Sequence, residues 1–501
     1  MSEPRPNILF ITADQWRGDC TGYAGHPVVQ TPNLDALAAG GTAFLRHYAA
    51  AAPCSPARAA MYTGLYQMNN RVVGNGAPLD HRFDNIARAA RRAGYTPTLF
   101  GYTDIAADPR VHDPADPVLR TYEGVLPGFE VEQALLGDER PWTTWLAKQG
   151  YGPEVTNDPY RRAAPGGRLP LAPAPFEAQH SQTAYLVDRT IEWIGQQPED
   201  TPWFAHVSLI HPHPPFVVSE PFHSLYAHAA SPAFAAATDE VMAHPAIEIL
   251  RGQRVSGFVP GAQTMLTELS PQELDQIRRV YFGLITEVDM HLGRLFSALE
   301  QVGQSDSTLI VMTSDHGEMM GDYGLLGKGG FFPQSQHIPL ILQGPGVAAG
   351  QRIDEFTSAV DIFPTLLDQL GVAARNGIDG HSLTPVLRGQ TAETGRNAVL
   401  WEFDFREQIA NGAGATGPYG PAGDHLLALM DEAGVYVSTP GRPSLLLSQD
   451  SPGAMTRNLT EPAEAPQVRL RAAEKLLSLR QAANDQTLAN IRLGPDGAVT
   501  I

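Results

Sequence analysis

The chain has 501 residues, 43% of them apolar and 18% charged, which is ample material for a globular core. A formal net charge of −19 disfavours nucleic acid and anionic membrane as partners, and any anion that binds needs local cations. Two cysteines, Cys20 and Cys54, are too few for a disulfide framework; no apolar run reaches membrane-spanning length and Met1–Pro6 carries no apolar leader, so the expected location is cytoplasmic.

Asn7 to Thr12 is a continuous apolar run of the kind buried in a parallel sheet. It ends at Asp14-Gln15, two oxygen donors at a strand's carboxyl end, where open α/β sheets bind ligands and a hard divalent cation is well served. Thr31 to Asp35 reads as a turn and helix start, with Leu34, Leu37 and Ala38 on one face. Pro53 and Pro56 bar a helix before Cys54, Ala57 to Tyr62 are mostly good helix formers, and Gly64 can end the helix. Cys54 is therefore expected at a helix N-terminus, which favours an anion. Arg58, one turn later, can fold back to grip a tetrahedral oxyanion in bidentate fashion. Asn75-Gly76 signals a turn, residues 84–94 a basic amphipathic helix, and Thr96 to Tyr102 a strand ending in Tyr102, Thr103 and Asp104. From Asp113 to about Phe176 the chain is rich in Pro, Gly and polar residues and reads as a long surface excursion over the mouth of a site.

A helix returns from Gln182 to Gln196, and a strand from Trp203 to Ile210 runs into His211-Pro212-His213-Pro214. Held between prolines at a strand's carboxyl end, a histidine here can contact an anion or protonate a leaving oxygen. Residues 216–270 look irregular and lid-like, and Gln272 to Gln301 carries the period of a core-packing helix with Pro271 at its start. Ser307 to Thr313 is a β-rich apolar run delivering Asp315-His316-Gly317, a carboxylate and an imidazole at a strand end. Lys328 stands among Gly327, Gly329 and Gly330, free to approach an anion. Ile338 to Leu342 is another strand. After about residue 390, short β-like pieces and a helix from Gln467 to Ala482 suggest a smaller antiparallel unit. The tail from Asp485 is expected to pack on a partner subunit.

Cys54, Pro56 and Arg58, followed by Thr63-Gly64, resemble the signature of the formylglycine-dependent sulfatases of the alkaline phosphatase superfamily. The resemblance implies that Cys54 is oxidised by a formylglycine-generating enzyme and that the hydrated aldehyde is the nucleophile. It implies an α/β fold: a large mixed sheet sandwiched by helices over residues 1–389, and a smaller C-terminal α+β subdomain over 390–501. It implies one divalent metal held by Asp14, Gln15, Asp315, His316 and an oxygen of the modified Cys54. Mostly oxygen donors with one imidazole suit Mn²⁺ or Ca²⁺, then Mg²⁺, better than zinc. Arg58, Lys328 and His213 become catalytic and substrate-side groups, Asn75 a substrate contact. Many sulfatases place a lysine and a histidine near Tyr102 and Asp104, and this chain has neither. His316, Tyr102 and Asn75 resemble the phosphonate monoester hydrolase branch instead. The expected function is hydrolysis of phosphonate monoesters or phosphodiesters with overlapping sulfatase activity. The alternatives are an arylsulfatase and a non-catalytic anion-binding protein with unmodified Cys54. The expected substrate is a small sulfate, phosphonate or phosphate ester, and the expected assembly a homo-oligomer.

Overall fold

In the computed structural model, which describes residues 5–501 except 138, 161–166, 199, 376, 407–424, 452–453, 459–464, 484–490, 495–496 and 501, the first apolar run forms β1 (Asn7–Ala13), buried along its whole length. Two parallel neighbours flank it, β6 (Phe204–Leu209) and β7 (Thr308–Thr313). Beyond β6 lie β4 (Pro97–Gly101) and the edge strand β5 (Glu130–Ala134), both parallel. Beyond β7 the sheet turns mixed. There β8 (Leu340–Gln343) is antiparallel to β7, β2 (Thr42–Tyr48) is antiparallel to β8, and β9 (Gln351–Ser358) runs parallel to β2. The order of this eight-stranded sheet is β5-β4-β6-β1-β7-β8-β2-β9.

Successive side chains of a strand point to opposite faces, and β1 feeds two cores. Leu9 and Ile11 pack with the helices Gln182–Ile194 and Pro271–Gln301. Ile8 and Phe10 pack on the other face with the helices Cys54–Thr63, Ile86–Arg92 and Ile362–Leu370. The long helix starts as its sequence requires: Ser270 accepts from the N–H of Glu273 while Glu273 accepts from that of Ser270, and Pro271 opens the first turn. Among the described residues no helix is long and apolar enough to cross a membrane.

A second sheet of six strands has the order β14-β13-β12-β11-β10-β3. It is built from β10 (Val399–Asp404), β11 (His425–Asp431), β12 (Gly434–Ser438), β13 (Leu445–Ser451) and β14 (Ala454–Asn458), all antiparallel. Its sixth strand, β3 (Ala51–Ala52), comes from the segment just before Cys54 and runs parallel to β10, Ala51 opposite Glu402 and Ala52 opposite Phe403. The C-terminal sheet thus reaches the threshold of the nucleophile helix. A hairpin, β15 (Ile491–Gly494) with β16 (Gly497–Thr500), ends the chain. The tail expected to meet a partner begins at Asp485, outside the described residues.

Three strands of the eight-stranded sheet were not expected. β5 reads Glu-Val-Glu-Gln-Ala because it is an exposed edge, and β9 is half-exposed along its first residues. In β2, Arg46 and His47 break the apolar run. The stretch 113–176 is more than a surface excursion: it contributes β5 and the helix Arg140–Lys148, whose Trp142 is wholly buried against Phe176. Residues 216–270 likewise bury Phe216, Val217, Val218 and Ile247.

Candidate active site

Because β4, β6, β1 and β7 are adjacent and parallel, their carboxyl ends open on one side of the sheet. Those ends deliver Tyr102 and Asp104, His213, Asp14 and Gln15, and Asp315 and His316. The nucleophile helix starts at Cys54 and closes at Gly64, whose φ of +68° is the left-handed conformation suited to glycine. Cys54 Sγ lies 2.9 Å from Lys328 Nζ, 3.4 Å from His316 Nε2 and 3.9 Å from Asp14 Oδ1. Residues separated by 274 positions in sequence, Cys54 and Lys328, are thus in direct contact. Asn75 Oδ1 accepts from the backbone N–H of Ser55 at 3.1 Å, which ties the Asn75-Gly76 turn to the same helix start.

Arg58 differs from the expectation of a bidentate grip on the anion. It is wholly buried and spends its five N–H groups on the protein. Nε donates to Asp315 Oδ2 at 3.0 Å; Nη1 to Ser208 Oγ at 2.8 Å and to the Tyr62 hydroxyl at 3.4 Å; Nη2 to Asp14 Oδ2 at 3.2 Å and to the Tyr102 hydroxyl at 3.0 Å. Its guanidinium also lies over the Tyr102 ring, 4.3 Å from the centroid. Arg58 is a clamp between two carboxylates, and its charge reaches the site through them. Behind it, Tyr62 meets His206 Nε2 at 2.9 Å, while His206 Nδ1 faces the Phe10 carbonyl. A carbonyl only accepts, so the His206 proton is on Nδ1 and Tyr62 donates to Nε2.

The same reasoning assigns the site histidines. His316 Nδ1 lies 3.0 Å from the Gly317 carbonyl, so Nδ1 carries the proton and Nε2 turns its lone pair toward Asp14, Asp315 and Cys54. Burial pushes His316 below its usual pKa. His213 Nδ1 faces the Pro214 carbonyl at 2.6 Å, leaving its Nε2 lone pair. Burial, then the Lys328 ammonium, pulls His213 down to about 4. His211 is buried with neither ring nitrogen partnered among the described residues, and the charges it feels are those of His213 and His291. Of the two, it is His213 that shares the site with Asp14, Lys328 and His316.

Burial works to raise Asp14, but His213, Lys328 and Arg58 outweigh it and hold the carboxylate far below its usual range. Its Oδ2 accepts from Arg58 and, at 2.5 Å, from Tyr102, so Oδ1 is the atom left toward His316 and Cys54. Burial, reinforced by Asp14, pushes the Cys54 thiol well above its ordinary value. Asp104 stands at φ +55°, buried, with Oδ1 unpartnered among the described residues. Burial pushes its carboxyl up to about 8; Arg58 opposes the rise and Asp14 adds to it.

Asp14, Cys54, Asp315 and His316 each offer a ligand atom, all within 4.8 Å of one another. Gln15 adds an amide oxygen on the Lys328 side. Two carboxylates, an amide and one neutral imidazole fit a hard divalent ion. A second group of donors, Asp80, His81 and Asp108, is already engaged, since Arg82 and Arg110 hold the two carboxylates. Glu318 and Ser208 were not expected at the site. Glu318 directly follows Asp315-His316-Gly317, a signal available in the sequence, whereas a serine inside an apolar strand gives little warning.

A sheet-end cluster of this kind defines a hydrolase of anionic esters, and comparison with known proteins gives the family. The sulfatase family profile matches residues 6–372. The chain is 35% identical over 517 aligned positions to the multifunctional alkaline phosphatase superfamily protein PehA of Trinickia caryophylli, with 99% of each covered. It is 29% identical to the choline-sulfatase of Rhizobium meliloti, over 78% of this chain and 73% of that one. The crystal structure of the phosphonate monoester hydrolase of Agrobacterium radiobacter superposes with a TM-score of 0.91 at 46% identity, covering 99% of this chain and all of that one. The phosphonate monoester hydrolase SpPMH of Silicibacter pomeroyi gives 0.88 at 36% identity, with 99% of each covered. The chain belongs to the sulfatase family.

Proposed function

We propose that the enzyme hydrolyses phosphonate monoesters and phosphodiesters, with overlapping activity on aryl sulfates, and that residue 54 works as formylglycine. One observation carries the substrate class. The two phosphonate monoester hydrolases superpose with TM-scores of 0.91 and 0.88 at 46% and 36% identity, whereas a 2-O glycosaminoglycan sulfatase covering 97% of the chain gives only 0.67 at 17%. An arylsulfatase is the second reading, favoured by 27% identity to the arylsulfatase of Clostridium perfringens over 80% of this chain.

Asp14, Gln15, Asp315 and His316 would hold one divalent ion, Mn²⁺ or Ca²⁺ before Mg²⁺, supplying fixed positive charge against the transferring group, while formylglycine would supply the hydroxyl nucleophile. A thiol kept protonated by burial and by Asp14 attacks poorly, which supports oxidation of Cys54 by a formylglycine-generating enzyme over direct thiol chemistry. Arg58 and Tyr102 hold Asp14 in place, and Arg58 holds Asp315. Lys328 Nζ donates to the bound anion. The Asn75 carbonyl is taken by Ser55, so its NH₂ is the end left for a substrate oxygen. An anionic ester beside His213 raises that imidazole's pKa, so Nε2 takes up a proton and passes it to the leaving oxygen. Asp104 Oδ1 accepts the proton released in the step that frees the product. Cytoplasmic location, homo-oligomeric assembly and the division into 1–389 and 390–501 belong to the same proposal; the two free cysteines support the first.

The test is kcat/KM with Mn²⁺ on two aryl esters sharing one leaving group, a phosphonate monoester and a sulfate monoester. Preference for the phosphonate is expected. Preference for the sulfate overturns the ranking in favour of the arylsulfatase reading.

A further inference from the structure

Gln15 and Lys328 come from distant parts of the chain, yet one buried carboxyl group holds both. Glu318 is fully buried. Its Oε1 accepts from the backbone N–H of Met320 at 3.1 Å and from that of Gly327 at 2.5 Å. Its Oε2 accepts from Gln15 Nε2. At the other end of that amide, Gln15 Oε1 accepts from Lys328 Nζ at 3.1 Å, and the same ammonium reaches Cys54 Sγ at 2.9 Å.

These contacts leave the Gln15 amide one orientation. An ammonium only donates, so the atom facing Lys328 is the oxygen; a carboxylate only accepts, so the atom facing Glu318 is the NH₂. The main chain of Gln15 is held as well. Its N–H donates to Asp315 Oδ1 at 3.1 Å and its carbonyl accepts from the Tyr281 hydroxyl at 2.7 Å. Its φ of +65° lies in the left-handed region, which a non-glycine residue keeps only where the surroundings enforce it. Glu318 also fixes the other partner, because Gly327, which donates to it, immediately precedes Lys328.

We infer that Glu318 is a positioning residue acting through two partners: it turns the Gln15 amide oxygen toward the space shared by Cys54, Asp14 and His316, and it seats the loop that carries Lys328. The inference rests on the metal reading of that donor set. It makes a distinctive prediction for Glu318→Gln. The two backbone N–H groups still claim the new side chain's oxygen, so its NH₂ must take the place of Oε2. Donor would then face donor, and Gln15 must flip its oxygen away from the site.

The test titrates the metal-free protein with Mn²⁺ alone and, separately, Ca²⁺ alone, by calorimetry. It compares wild type, Glu318→Gln, Gln15→Ala and the double variant. Removing an outer partner of a metal ligand typically weakens the metal by about 10–100-fold, and that loss is expected for Glu318→Gln. In the Gln15→Ala background the same change should add less than about twofold, since the route through the Gln15 oxygen is gone and the Lys328 ammonium has no lone pair to offer a metal. Glu318→Asp keeps the charge but withdraws it by one methylene. It should also weaken binding, with far-UV circular dichroism unchanged, and it covers the case in which the glutamine variant fails to fold. Equal affinity in wild type and the Glu318 variants, or losses that multiply in the double variant, overturns the inference. A wild type that takes up neither ion overturns the metal reading and the inference with it, a result distinct from the first two.

Discussion

Two sets of buried polar groups, one around Arg58 and one flanking Tyr160, handle charge in opposite ways. Around Arg58 every donor has an acceptor: five N–H groups meet Asp14, Asp315, Tyr102, Tyr62 and Ser208. On the two sides of Tyr160 polar atoms lack partners. Both His211 nitrogens and both Glu287 carboxyl oxygens are buried without a hydrogen bond among the described residues, and the Tyr160 ring lies 6.5 Å from that of His211. Pairing lets the first cluster keep its charges. Without it the second gives them up: burial pushes Glu287 up to about 8 and His211 down to about 3. Both are equally hidden from solvent, so partners rather than burial decide which groups stay ionised, and the charged cluster is the one beside Cys54.

The largest effect should come from residue 54. Cys54→Ala is expected to lower kcat by at least about 10³-fold with unchanged circular dichroism, since only the nucleophile is lost. Next comes the clamp. Arg58→Ala leaves two buried carboxylates facing each other, and breaking a buried pair in this way costs about 3–5 kcal/mol. Denaturant unfolding should register that loss together with a collapse of activity. Lost activity at full stability would return Arg58 to a purely anion-binding role. Asp104→Asn removes the proposed proton acceptor at a cost of about 10²-fold or more in kcat. In wild type kcat should rise as pH approaches about 8, where Asp104 loses its proton, and that limb should be absent from the variant.

An effect on stability rather than activity sharpens the contrast from the unpaired side. Glu287 has its carboxyl raised from 4.5 to about 8, so between those values the folded chain binds a proton that the unfolded chain has released. The stability it contributes is complete below about pH 4.5 and is lost as pH climbs to about 8. Glu287→Gln should therefore stabilise the protein at pH 8, by an amount on the order of a few kcal/mol, and change little at pH 4.5. Thermal unfolding at the two pH values checks this, and destabilisation at pH 8 would mean Glu287 is ionised and paired.

The positions of Asp14, Asp315 and His316 were legible because each follows an apolar strand directly, and strand ends are where such sheets work. Cys54 was legible because prolines and a glycine bracket its helix. Strands β5 and β9 were hidden because edge strands are half-solvated and their side chains read as loop, and β2 because Arg46 and His47 interrupt its apolar run. Arg58 shows a different limit. Spacing brought it to the site, but whether its donors point to substrate or to neighbouring carboxylates depends on Ser208 and Asp315, whose approach no local pattern encodes. Glu318 stood in view beside His316, yet its partners Gln15 and Gly327 lie on separate segments.

The most direct test of the account is the mass of the tryptic peptide His47–Arg58 from a preparation whose turnover on the phosphonate ester has been measured. The account predicts a residue 54 that has lost sulfur and two hydrogens and gained one oxygen, in a fraction that tracks kcat across preparations. An intact thiol at position 54 in a fully active preparation would contradict it.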